Sequence, residues 1–103
     1  MSLVYKAIPK NFAESAFDPG ELRITHRALA LSVDYEAYLR RHLSGDWGKV
    51  RAEVQAANDQ AVERGHGVIG SAYETPVGWL FMITRSDRSA TALLRPSDVE
   101  AYV

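Results

Sequence analysis

The sequence predicts an α+β fold, with about three N-terminal helices packed on a small antiparallel three-stranded meander. Residues 25–64 carry apolar side chains at helical spacing, whereas residues 68–95 fall into short β-prone runs. The breaks between those runs are tight four-residue turns, which join neighbouring strands in opposite directions. Helices first and strands last segregates the two kinds of element, with the helices covering one face of the sheet. A chain of 103 residues amounts to one domain and buries roughly 65% of its unfolded surface.

Residues 1–24 read as an N-terminal arm, because Pro9 and Asp18-Pro19-Gly20 interrupt them, with Leu3-Val4-Tyr5 as a candidate short strand. The α+β domain then covers residues 25–103. Thr25 is suited to cap a first helix over residues 26–31. Ser32 is the cap candidate for a second helix, which places Asp34 and Glu36 in a first turn where the helix dipole favours negative charge. That helix runs to about Leu43 and stops at Gly45. A third helix spans residues 49–64, with Val50, Val54, Ala57, Ala61 and Val62 at helical spacing and Gly65 as its stop. The strands are expected at 68–74, 79–85 and 90–95, divided by Thr75-Pro76-Val77-Gly78 and Ser86-Asp87-Arg88-Ser89.

Composition narrows the function. Hydrophobic residues at 47% and charged residues at 24% are ordinary globular values, which excludes disordered and fibrous classes. No apolar run approaches a membrane span and no signal peptide is visible, so a cytoplasmic protein is expected. The chain has no cysteine, which removes disulfides, thiolate zinc sites and thiol nucleophiles together. Twelve basic against thirteen acidic residues give a net charge of −1, which disfavours nucleic acid and makes a protein the expected partner. His26, His42 and His66 lack metal-ligand spacing, and no phosphate-cradling glycine loop occurs. Neither metal nor cofactor is expected.

Four places could carry chemistry. On the second helix Tyr35, Tyr38, Leu39, His42 and Leu43 share one sector, so His42 is either a core histidine or a general acid–base. Asn58 lies at the border of an apolar sector between Val54 and Val62. It either locks its helix onto the sheet and the glycine-rich stretch or faces the same pocket as His42. In Gly45-Asp46-Trp47-Gly48, a constrained turn has Asp46 capping the next helix and Trp47 packing inward; the functional alternative exposes Trp47 as a contact platform. The last hairpin, Thr84 to Thr91, is either simple turn chemistry or a pair of guanidinium forks, Arg85 and Arg88, beside hydroxyls suited to a phosphate or carboxylate.

Together, the run from His42 to Gly48, Asn58, Ser71-Ala72-Tyr73, the run from Ile83 to Thr91, and Leu93-Leu94 resemble a family of small bacterial proteins. That family is carried on plasmids, phages and integrated elements, and some members are labelled as associated with type I restriction–modification. The resemblance covers residues 25–96 and breaks at Arg95, where leucine directly before Pro96 is expected. It implies a mobile-element accessory protein acting as a non-catalytic binding module on a host or element-encoded macromolecule. Its expected contact residues are Asp46, Trp47, Asn58, Ser71, Tyr73, Arg85, Asp87, Arg88 and Ser89.

The last hairpin is also similar, more weakly, to microbial ribonucleases of the barnase type. That likeness implies a small ribonuclease or toxin with His42 as acid–base, Arg85 and Arg88 on the phosphate, and Ser89 or Thr91 orienting it. The sequence departs from the ribonuclease pattern by placing Arg88 where the catalytic histidine follows the hairpin Asp. Its only candidate for the strand glutamate is Glu74, at a strand end. A third expectation is a small homodimer that pairs through an open edge strand.

Overall fold

A computed structural model describes residues 3–6 and 15–99. Its elements are β1 (Leu3–Lys6), β2 (Glu21–Thr25), α1 (His26–Leu29), α2 (Tyr35–Leu43), α3 (Ala52–Arg64), β3 (Ile69–Thr75), β4 (Gly78–Thr84) and β5 (Ala90–Leu94), closed by a 3-10 turn at Pro96–Asp98. The strand order is β1-β2-β5-β4-β3. The expected meander is present as β3-β4-β5, antiparallel throughout. β2 joins its inner edge parallel to β5, and β1 extends the sheet antiparallel to β2.

This overturns the expectation of three helices on a three-stranded meander. The body is a four-stranded mixed sheet, β2-β5-β4-β3, with β1 on its flank. The strand missed is β2, in a stretch assigned to the N-terminal arm. Its Leu22 and Ile24 are buried while Glu21 is exposed and Arg23 half-buried, the alternation of a strand with one face on a core. Asp18-Pro19-Gly20 ends just before it; Asp18 Oδ1 accepts from the Gly20 amide at 2.9 Å. Gly20 is needed there, because its φ is +64° and a Cβ would strike the Arg88 and Ser89 backbone. The boundary at residue 24 thus falls inside β2, and Phe17, Leu22 and Ile24 belong to the core. Pairing on both sides makes β5 the central strand, and all five of its residues are buried.

The helices also differ from expectation. α1 is a single turn, capped as expected by Thr25, whose Oγ1 accepts from the Ala28 amide at 3.1 Å. α2 is capped by Asp34 rather than Ser32, which instead adopts a left-handed φ of 56°. It lays Leu39, His42 and Leu43 against the inner face of the sheet, formed by Leu22, Ile24, Ile69, Tyr73, Leu80, Met82 and Leu93. α3 starts at Ala52, not Lys49, ends at a left-handed Gly65, and buries only Asn58 and Ala61. It runs along the free edge of β3 rather than covering a face.

Candidate functional site

Polar residues at core-phase positions demand partners. Ser71, Thr84 and Thr91 alternate in phase with Ile69, Tyr73, Met82 and Leu93, so they point at the inner core, and His42 reaches them from α2. The His42 Nδ1 lies 2.5 Å from Ser71 Oγ and its Nε2 2.8 Å from Thr84 Oγ1. Thr84 Oγ1 lies 2.7 Å from Thr91 Oγ1, which lies 2.7 Å from the Pro19 carbonyl oxygen.

The carbonyl end fixes the protons of this chain as far as His42 Nε2. Pro19 O can only accept, so Thr91 donates to it. Each hydroxyl has one proton, so Thr84 donates to Thr91 and receives from His42 Nε2–H. Burial disfavours a second proton on the ring, so Nδ1 is the acceptor and Ser71 donates to it. His42 is thereby the neutral Nε2–H tautomer with both nitrogens satisfied. Phe17 and Trp47 pack edge-on against the ring at 5.3 and 5.8 Å between centroids. His42 is wholly buried, and that desolvation lowers its pKa to about 3. It is a core histidine, and its nitrogens are committed within the fold.

The other candidates are likewise placed in the frame. The Asn58 carboxamide donates to Gly70 O at 2.7 Å and accepts from Gly70 N at 3.0 Å, a two-point bridge from α3 to the edge of β3. Asp46 does not cap α3. Its carboxylate pairs with Arg41 at 2.7 Å and accepts from the Gly48 amide at 3.2 Å, which holds it below the usual carboxylate range, chiefly through the Arg41 hydrogen bond. α3 begins six residues later with Arg51 at its cap position and no side-chain cap bond. Trp47 is buried and donates to Asp59 Oδ1 at 2.9 Å, so it offers no exposed platform. Tyr73 is buried too, its phenol donating to the Asp46 carbonyl at 2.7 Å and pushed up in pKa mainly by burial.

The last hairpin is held by Arg88 rather than opened by it. Its guanidinium donates to the carbonyls of Gly67 at 2.7 Å, Ala61 at 2.8 Å, Arg85 at 3.1 Å and Ser86 at 3.2 Å. A cation answering the last turn of α3 is favoured by the helix dipole, and the planar fork suits several acceptors at once. Asp87 accepts from the Ser89 amide at 2.9 Å, and its carboxyl is lowered mainly by a hydrogen bond from the Ser89 side chain. Arg85 and Ser89 are exposed. Of the expected contact residues, Trp47, Asn58, Ser71 and Tyr73 are buried and Arg88 is tied down, while Asp46, Arg85, Asp87 and Ser89 are exposed. His42 is wholly buried and Arg88 half-buried, and the Phe17 ring packs against both, 5.3 Å from the His42 ring and 5.9 Å from the Arg88 guanidinium carbon.

What remains open lies elsewhere. On the outer face of the sheet, Val50, Val54, Phe81, Ile83 and Val99 line a groove of about 210 Å³ floored by Gly70 and Ala72. Through Ile83 it meets a shallow hollow of about 590 Å³ at His66, Val68, Arg85 and Asp87, where Val68 is 60% exposed. A polar cleft of about 230 Å³ opens beside the edge of β3 between the Arg41–Asp46 and Lys49–Glu74 ion pairs. The sequence reading named none of Arg41, Lys49, Glu74, Phe81 or Val99 as a contact residue. Phe81 and Ile83 carry a legible signal, because they alternate with Leu80, Met82 and Thr84 and so belong to a second apolar face.

Among the described residues, no group of three His, Asp or Glu side chains is placed to hold a metal, and no helix is long and apolar enough to cross a membrane. Comparison with protein-family models, curated proteins and solved structures finds no match to this chain.

Proposed function

We propose that this protein is a non-catalytic binding module whose contact surface is the outer face of the sheet, and that its partner is a protein. The observation that carries this is the groove of Val50, Val54, Phe81, Ile83 and Val99, an apolar surface left half-buried on an otherwise well-packed fold. Such concave apolar surfaces are where macromolecular contacts form. The near-neutral chain lacks the charge that nucleic-acid binding draws on. Its resemblance to plasmid- and phage-borne proteins points to a host or element-encoded partner.

The ribonuclease reading draws no support from the geometry. Its general acid–base would be an imidazole with both nitrogens occupied, and one of its two phosphate ligands already donates to four carbonyls. The dimer reading has less of the β3 edge to use, because Gly70 and Ala72 are already answered from within the chain.

The test is affinity capture from host lysate with wild type, Ile83→Asp and, as a control at an exposed position away from the groove and the cleft, Glu63→Gln side by side. A stoichiometric protein retained by Glu63→Gln and lost with Ile83→Asp, whose circular dichroism matches wild type, is the expected result. Capture unaffected by Ile83→Asp, or shortening of labelled RNA by purified wild type, contradicts the proposal.

A further inference from the structure

The free edge of β3 presents three outward-facing backbone pairs, at Gly70, Ala72 and Glu74, because these alternate with the residues that bond to β4. Two are answered inside the molecule. The Asn58 carboxamide takes both groups of Gly70. The segment 47–49 takes both groups of Ala72, through Lys49 N at 2.7 Å and Trp47 O at 3.1 Å, in a parallel bridge centred on Gly48. Continued in register, that segment would set Val50 opposite Glu74. Instead the chain leaves the edge, Val50 turns into the outer-face groove, and no described group answers the Glu74 amide or carbonyl.

The polar cleft lies at this gap. Arg41 and Asp46 stand on one side of it and Lys49 and Glu74 on the other, both pairs exposed. Exposed ion pairs of this kind hold their partners weakly, so an incoming polar group exchanges with them at little cost. Ala72 lines both the cleft and the apolar groove. It is two residues from Glu74, about 7 Å along a strand.

We propose that an extended segment of a partner protein adds to the β3 edge at Glu74. Its backbone would complete the one outward pair left open, as the Asn58 carboxamide does at Gly70. Main-chain pairing then supplies affinity and the flanking surfaces supply selectivity, the general logic of strand addition. The residue over the cleft is polar, to meet the Arg41–Asp46 and Lys49–Glu74 pairs that line it. This inference rests on the binding-module reading and narrows its partner to an extended peptide.

The test uses a displayed library of random peptides selected on immobilised wild-type protein, with Glu74→Pro and Glu74→Gln as comparisons. Proline removes the outward amide and is tolerated on an edge; glutamine keeps the amide and removes the charge. Enriched peptides are expected to lose about tenfold in affinity on Glu74→Pro, to keep binding Glu74→Gln, and to slow hydrogen exchange at the wild-type Glu74 amide. Peptides that leave that amide unprotected, peptides that bind Glu74→Pro equally well, or a selection that enriches none overturn the inference. A partner captured through Ile83 while the Glu74 amide stays unprotected removes the edge site and leaves the binding module standing.

Discussion

Acidification probes the core most sharply, because His42 is the one wholly buried imidazole among the described residues. Burial lowers its pKa from 6.5 to about 3. Between those values the unfolded chain holds a proton at residue 42 that the folded chain refuses. Stability therefore falls as pH drops through 6.5 and stops falling near 3. Each unit in that window costs about 1.4 kcal/mol, so lowering the pH from 7 to 5 removes about 2 kcal/mol. The groups packed on the ring from each neighbouring element, Phe17, Trp47, Ser71 and Thr84, do not titrate there. The Asp46 and Asp87 carboxyls are both lowered from an ordinary value of 3.8, so they stay charged across the pH 7 to 5 series. Urea unfolding at pH 7, 6 and 5 measures the slope, with His42→Gln as the comparison. The wild type is expected to lose stability across the series while the variant, weaker at pH 7, stays nearly level. Parallel loss in both proteins would refute the assignment of His42 as a neutral core residue.

Three further outcomes follow from single contacts. Gly48→Ala forces a side chain into a φ of +72° and against the Ala72 carbonyl and Tyr73 ring, so it should cost about 3 kcal/mol in thermal or urea unfolding. Asn58→Ala strands both backbone groups of Gly70 on a covered edge and should cost about 2–3 kcal/mol, with hydrogen exchange at the Gly70 amide accelerating well beyond its neighbours. Arg88→Ala removes the donors that join the last hairpin to the end of α3 and should cost about 2–3 kcal/mol. Arg88→Lys should recover only part of that, since one ammonium cannot reproduce the fork.

Local signals in the sequence were legible and non-local ones were not. Thr25 as a cap, Gly65 as a helix stop and the β3-β4-β5 meander each depend on residues close in the chain, and each appears as expected. β2 is hidden because Asp18-Pro19-Gly20 and the Thr25 cap leave only residues 21–24 between them. Its parallel pairing with β5 joins residues nearly seventy positions apart with no turn to announce it. Asp46 was read as a helix cap from local chemistry, whereas Arg41, five residues upstream, captures it across the turn. The choice between the structural and functional alternatives at the candidate residues depends on the same non-local information. His42, Asn58, Ser71, Thr84, Thr91 and Arg88 look functional by residue type, but each answers another polar group inside the fold. The clue was available in the phase of Ser71, Thr84 and Thr91, which fall on inward positions where an unpaired hydroxyl would be costly. Tracing the partners needs the tertiary structure.

The central claim is that the residues resembling a catalytic set are structural, and the protonation state of His42 tests it most directly. Long-range proton–nitrogen NMR of the imidazole, followed from pH 7 to pH 4, reads both nitrogens separately. The account predicts a protonated Nε2, an unprotonated Nδ1 and no titration across that range. A ring that titrates near its ordinary value of 6.5, or that carries its proton on Nδ1, would contradict the hydrogen-bond chain and return His42 to the list of reactive groups.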